Sequence, residues 1–409
     1  MRGILEAARK IEAQIVEDRR TIHQYPEMGF ELPRTAAYVQ KRLADMGIES
    51  QICGGPLPLE AQEGFAAAGF PVMKELTGVV ATIGHGEPCI LLRADMDALP
   101  MMEAPDKVEF TSAYPGLAHM CGHDSHTAML LGAAKLLKER EEELCGTVKL
   151  MFQPGEEMGC GAMLMIQYGL LENPKVDAAL AIHVKSQQPV GTVEYSVGCA
   201  SAAMDSILVK VKGKGGHSSM PQNTVDPLMI VNQLYTTLNL LVGRETDPRE
   251  TVTLTVGKCG GGVTDNVIPD TAEMMIGLRS FNNDIRNHLL QRIPEIVDHT
   301  VKMWRGDYEI MALGTPSTFT DAALCEELAP LVGEVVGEEN VAVTPCKTGT
   351  EDFAYVTQMV PGMLLHLGAG DESRAPLHSP DMTLDESAFA YGAAIYTNCA
   401  MEWLKKHKK

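Results

Sequence analysis

No run of about 18 apolar residues occurs in this 409-residue chain, so no membrane-spanning helix is expected. Cations are in the minority: 34 Lys and Arg against 54 Asp and Glu give a formal net charge of −20. That balance argues against nucleic acid and anionic membrane surfaces as partners, and says little about substrate because ordinary solubility accounts for it. Aromatic residues are scarce at 5%, while Met (24) and Gly (38) are plentiful, so methionine is expected to fill much of the core. The ten cysteines contain no Cys-x-x-Cys pair and do not read as a disulfide framework in a chain this large. Most are expected to be small buried hydrophobes in a reducing compartment. The opening residues Met1 to Lys10 are charged and lack the apolar core of a secretory signal, so the expected location is cytoplasmic. What remains is a globular chain, 45% hydrophobic and 22% charged, long enough for two or three domains.

Periodicity divides the chain. An apolar stripe predicts a helix over 2–24, and a second runs over 33–46 to Gly47. His23 and Glu27, in the intervening stretch, read as a structural hydrogen-bond network. Strands are predicted over 76–83, 89–93, 147–152 and 177–182, alternating with helices over 127–139 and 161–170. The run Cys89-Ile-Leu-Leu-Arg93 is nearly all apolar, as in a strand covered on both faces. Alternating strands and helices imply parallel β units, whose ligands gather beyond the carboxyl ends of the strands. From about 196 the order becomes β-α-β-β-α-β, the ferredoxin-like pattern. The expected architecture is therefore α/β. A catalytic domain (1–195 and 316–409) has a mostly parallel sheet flanked by helices, and a ferredoxin-like α+β domain (196–315) is inserted into it.

Chemistry-bearing residues cluster after the predicted strands. Cys121 and His123 flank one glycine, with Asp124 and His126 in reach to orient them; a thiolate and an imidazole make half of a zinc-type site, though Cys-x-His alone is a weak signal. Asp95 and Asp97 follow the strand over 89–93. Pro154 and Gly155 end the strand over 147–152, so Glu156 and Glu157 both project from a loop. His183 follows the strand over 177–182, and His378 lies in the loop after the strand ending at His366-Leu-Gly. Five donors at one sheet edge exceed what a single tetrahedral ion needs. They suit two ions roughly 3.5–4 Å apart and a hydrolytic reaction. Spacing does not decide which glutamate binds metal and which moves protons.

Seven motifs spread over the chain carry a resemblance. They are Arg93-Ala-Asp-Met-Asp-Ala-Leu-Pro, His119-Met-Cys-Gly-His-Asp-Ser-His-Thr, Phe152-Gln-Pro-Gly-Glu-Glu, Lys212-Gly-Lys-Gly-Gly-His-Ser-Ser-Met-Pro, Asn266-Val-Ile-Pro-Asp, Gly349-Thr-Glu-Asp-Phe-Ala-Tyr and Leu377-His-Ser-Pro. In this order they resemble the amidohydrolase branch of the dinuclear metallopeptidases, which contains aminoacylase, hippurate hydrolase and the auxin-conjugate hydrolases. The resemblance implies that Cys121, His123, Glu157, His183 and His378 bind two divalent ions (Mn, Zn, Ni or Co). Glu156 would be the general base, and Asp97 would orient a ligand. The inserted domain would be a lid and the surface of a homodimer. Its His217 would stabilise the oxyanion, and Asn266 and Arg279 would face substrate. The implied activity is hydrolysis of N-acyl amino acids, with a dipeptidase or carboxypeptidase on the same metals as the alternative. Asp95 stands where relatives outside this branch have a histidine ligand, and is not counted as one. Gly155, Ser125, Gln222 and a long insertion over 53–76 depart from the expected pattern and bear on substrate preference.

Overall fold

The computed structural model describes residues 2–67, 71–105 and 107–408. Residues 68–70 of the long insertion lie outside the described residues; its earlier part forms an unexpected helix, Leu59–Ala67. The chain divides into two compact units. One comprises Met1–Ala200, Phe319–Pro345 and Asp352–Lys409; the other comprises Ser201–Thr318 and Cys346–Glu351.

The first unit is built on eight strands: Ser50–Ile52 (β1), Val79–Gly84 (β2), Cys89–Asp95 (β3), Thr147–Gln153 (β4), Ala178–Pro189 (β5), Val193–Tyr195 (β6), Val341–Val343 (β7) and Gly362–Gly370 (β8). They lie in the order β1-β2-β4-β3-β5-β8-β6-β7. The four central strands β4, β3, β5 and β8 run parallel. Every residue of β3 and β4 is buried, because side chains alternate between two apolar layers. On β3, Ile90 and Leu92 join the layer holding Leu130, Leu131, Ala393 and Ile395, while Leu91 joins Met151, Leu164, Met165 and Phe353 on the other side. Methionine contributes to both layers, as its abundance suggested. Helix His123–Lys138 packs against helices Glu12–Gln24 and Phe389–Lys406. The single helix expected over 2–24 is interrupted at Ile11. Among the described residues, no helix is long and apolar enough to cross a membrane. Eight of the ten cysteines are free thiols, and Cys199 and Cys346 are disulfide-bonded.

The carboxyl ends of β3 and β4 are fixed by one buried ionic network. Arg93 donates from Nε to Gln153 (2.8 Å), from Nη2 to Asp352 (3.1 Å), and pairs through Nη1 with Asp95 (2.8 Å). Asp352 also accepts from Gln153 Nε2 (2.6 Å) and the Ala162 amide (2.9 Å). Removing one partner of such a network leaves the others buried and charged, so Arg93→Met is expected to cost about 3–5 kcal/mol of folding free energy, read by urea unfolding.

The second unit is an antiparallel four-stranded sheet, its strands ordered Val252–Gly261, Thr271–Ser280, Ala203–Lys212, Asp307–Thr315. Helices Pro227–Glu245 and Asn283–Met303 cover it through Leu234, Leu238, Ile293 and Val297, which meet Ile207, Val209, Met274 and Ile276. Each helix starts at a capping side chain: Asp226 accepts from the Leu228 amide (2.9 Å), and Asn282 from the Asp284 amide (2.9 Å). The order is the expected β-α-β-β-α-β.

Candidate metal centre

Backbone geometry delivers each donor. Gly122 separates Cys121 from His123 at φ +92°, a region open chiefly to glycine, and a Cβ there would lie 2.5 Å from a Val184 methyl. The chain therefore turns sharply at Gly122 and enters the helix at His123. Gly155 plays the same part after β4: at φ +72°, its missing Cβ leaves room for the Phe30 ring, 2.3 Å from where it would sit. The loop that follows is held from below by Asp97, whose two carboxylate oxygens accept the amides of Glu156 (3.1 Å) and Glu157 (3.0 Å). His378 has a left-handed backbone (φ +62°), and its amide donates to the Met120 carbonyl (2.8 Å), joining its loop to that of Cys121. His183 sits differently from expectation. Strand β5 continues to Pro189, so His183 lies within it, paired with His366 of β8.

The donors converge. Cys121 Sγ is 3.5 Å from His183 Nε2 and 3.2 Å from His378 Nε2. Glu157 Oε1 is 3.4 Å from His378 Nε2 and 3.9 Å from His123 Nε2, and Glu156 Oε2 is 3.8 Å from His123 Nε2. Hydrogen bonds on the far side of two rings set the tautomer. His123 Nδ1 donates to the Asp97 carbonyl (2.9 Å), and His183 Nδ1 to the Val184 carbonyl (2.8 Å). Each leaves an Nε2 lone pair facing the cluster, the arrangement typical of metal-binding histidines.

Two neighbours are tied up elsewhere. His126 Nε2 accepts the Val184 amide (2.8 Å), so its Nδ1 carries the proton donated to Asp95 (2.6 Å). Both ring nitrogens are used. Asp95 in turn faces His126 on one oxygen and Arg93 on the other. It holds the strand end and His126, and His126 holds the backbone beside His183. This chain of contacts was not legible in sequence, because neither spacing nor residue type distinguishes a ligand histidine from one that accepts an amide.

The donor set fits divalent metal. His123 Nε2 and Glu157 Oε1 are buried, lie 3.9 Å apart, and make no hydrogen bond among the described residues. Orphaned polar atoms of this kind are costly unless a cation meets them. Burial, and then the Glu157 carboxylate, push the Cys121 thiol well above its usual range, so a thiolate there requires a positive charge. Burial and the neighbouring His126 hold His183 well below the usual imidazole range, and thus in the neutral form that a metal ligand requires. Burial alone would raise Glu157, but His378 and His123 hold its carboxyl below the usual value. Cys, His and carboxylate donors together suit zinc-like and manganese-like ions.

Asp97 supplies a check on this arrangement. Asn at that position would turn one oxygen into an NH2 facing an amide N–H. Asp97→Asn is expected to weaken metal binding about 10–100-fold, measured by competition with a chromogenic chelator.

His217, Asn266 and Arg279 lie in the second unit. The short strands Gly216–His217 and Val267–Ile268 pair, and the Ser218 amide donates to the Asn266 carbonyl (3.1 Å), so His217 and Asn266 are neighbours. His217 Nδ1 accepts the Ser219 amide (3.1 Å), which leaves Nε2–H as the donor of a neutral ring. Arg279, on strand Thr271–Ser280, points its guanidinium at the Thr348 carbonyl (3.4 Å) and Met204 Sδ (3.3 Å).

Comparison with known proteins agrees with this geometry. The profile of Peptidase family M20/M25/M40 matches residues 91–402. The chain is 37% identical over 399 residues to the IAA-amino acid hydrolase ILR1-like 4 of Arabidopsis thaliana, covering 95% of this chain and 86% of that protein. It is 37% identical over 385 residues to the N-acetyl-L-cysteine deacetylase of Bacillus subtilis, covering 92% and 85%. The crystal structure of the Bacillus subtilis YXEP protein, described as a dinuclear metal binding peptidase of the M20 family, superposes with a TM-score of 0.74. It is 27% identical, covering 97% of this chain and 99% of that one. Taken with the fold, these matches establish that the chain belongs to Peptidase family M20/M25/M40 and is a hydrolase.

Proposed function

We propose that the protein hydrolyses the amide bond of N-acyl amino acids, releasing a free amino acid and a carboxylic acid. The observation that carries this reading is the convergence of Cys121, His123, Glu157, His183 and His378, with Glu156 alongside. The five would hold two divalent ions, manganese or zinc being the best suited to mixed thiolate, imidazole and carboxylate donors. Bound there, the ions would lower the pKa of their water towards about 7 and polarise the scissile carbonyl. Glu156 takes the water's proton on its carboxylate and delivers it to the leaving nitrogen. Asp97 holds the loop that carries both glutamates by accepting their two amides. His217 offers its Nε2–H to the oxyanion, a donor of a type worth about 10²–10³ in rate. Asn266, its neighbour, and Arg279 contact the substrate, Arg279 through a carboxylate. The second unit serves as lid and as the surface of a homodimer. The names of the plant and bacterial relatives, an amino acid conjugate hydrolase and an N-acetyl deacetylase, support an acylated rather than a free amine.

Assaying N-acetyl and N-benzoyl amino acids beside free dipeptides, with added Mn²⁺ or Zn²⁺, tests the reading. Turnover of the acylated panel is expected. Hydrolysis confined to free dipeptides would overturn it in favour of a dipeptidase on the same site.

A further inference from the structure

Next to the loops that carry the converging donors lies a largely buried polar bridge that the reaction does not use. His23, at the end of helix Glu12–Gln24, reaches Asp124 through Nδ1 (2.7 Å) and Glu103 through Nε2 (2.9 Å). Glu103 also accepts the Ser112 amide (2.6 Å) and pairs with Lys107 (3.3 Å). Lys107 Nζ then donates to the carbonyls of Pro380 (3.1 Å) and Met382 (2.6 Å), and lies 3.2 Å from Met120 Sδ. Asp124 follows His123 directly; Met120 precedes Cys121; Pro380 and Met382 follow His378. One ammonium thus touches both loops whose donors meet, although Cys121 and His378 are 257 residues apart in sequence.

We propose that Lys107 is a positioning residue for His378, clamping the turn after it to the Cys121-Gly122-His123 loop through Glu103, His23 and Asp124. This rests on His378 being a metal ligand. The need for a clamp is visible in the backbone. His378 holds a left-handed conformation that a non-glycine residue leaves readily, and its own amide makes a single bond to the Met120 carbonyl. A lysine suits the task because its three N–H donors meet two carbonyls and a carboxylate at one point. A neutral side chain of similar length would leave the Pro380 and Met382 carbonyls without this donor.

The test uses the full chain, titrated with Mn²⁺ against a chromogenic chelator to give two binding constants. Lys107→Met is expected to weaken one constant about tenfold or more and to leave the other within about twofold, as for residues that orient ligands from behind. His378→Ala should weaken the same constant, and adding Lys107→Met to it should bring no further loss. Two constants as in the parent protein, or an equal drop in both, would overturn the proposal, since a residue that only supports the fold does not select one ion. Should Lys107→Met fail to fold, Glu103→Gln decides the matter: a selective drop of about threefold supports the clamp, and no drop overturns it. If His378→Ala leaves both constants unchanged, the ligand assignment itself fails, whatever Lys107 does.

Discussion

Replacing Glu156 with Gln is expected to lower kcat by about 10²–10⁴-fold while the protein keeps its metal content and its folding temperature. Gln preserves the size of the side chain and can still accept a hydrogen bond, but it cannot carry a proton from water to the leaving nitrogen. The backbone amide that positions residue 156 on Asp97 survives the change, so the loop should stay in place. The neighbouring Glu157 cannot substitute. Its carboxylate lies 3.4 Å from His378 Nε2, which holds it in the charged form. The discriminating measurement is the split between kcat and metal content, the latter by elemental analysis of dialysed protein. Loss of activity together with loss of metal would make residue 156 a ligand and reverse the roles assigned to the two glutamates. Retained turnover would remove it from the reaction.

Much of the fold was legible because its signals are local. The unbroken apolar run of β3 announces a strand covered on both faces, and the change of rhythm after 196 announces a separately cored unit. Other features depend on partners distant in sequence. The strand expected over 177–182 continues as β5 to Pro189 because β8 pairs alongside as far as Gly370. His183 consequently reaches the cluster from within the sheet. Residues 346–351 pack with the second unit, a placement that no local pattern carries. The site was legible as residue types: a Cys-Gly-His turn, a Glu-Glu pair and two histidines after strands. Hidden were the jobs of their neighbours. The resemblance implied that Asp97 orients a ligand and left Asp95 without a role; Asp97 accepts the amides of Glu156 and Glu157, and Asp95 holds Arg93 and His126. Glu27, read with His23 as a structural network, accepts the amides of Arg34 (3.2 Å) and Thr35 (2.7 Å) and so caps the helix Pro33–Asp45. His23 instead bridges Glu103 and Asp124.

Stripping the protein with a strong chelator is expected to abolish turnover, and Mn²⁺ or Zn²⁺ added back should restore it. The argument is electrostatic. Glu156, Glu157 and Cys121 point into one space with three imidazole nitrogens, and Asp95 and Asp97 stand just behind. Without a cation, the carboxylates repel one another across a buried space, and Cys121 retreats to the neutral thiol that burial favours. The same argument makes the fold depend on metal. An ion present at 100 times its dissociation constant stabilises the protein that binds it by about 2.7 kcal/mol, so the unfolding temperature should rise on adding Mn²⁺ to stripped protein. His183→Ala separates this from nonspecific effects. It removes an Nε2 that lies 3.5 Å from Cys121 Sγ, and should lose most of both the activity and the metal-dependent rise in unfolding temperature. The change opens a cavity in β5, so the variant's stability without metal must be measured beside it. If metal stabilises this variant as much as the parent, His183 is not a ligand, and a centre built on the remaining four donors would have to account for the chemistry.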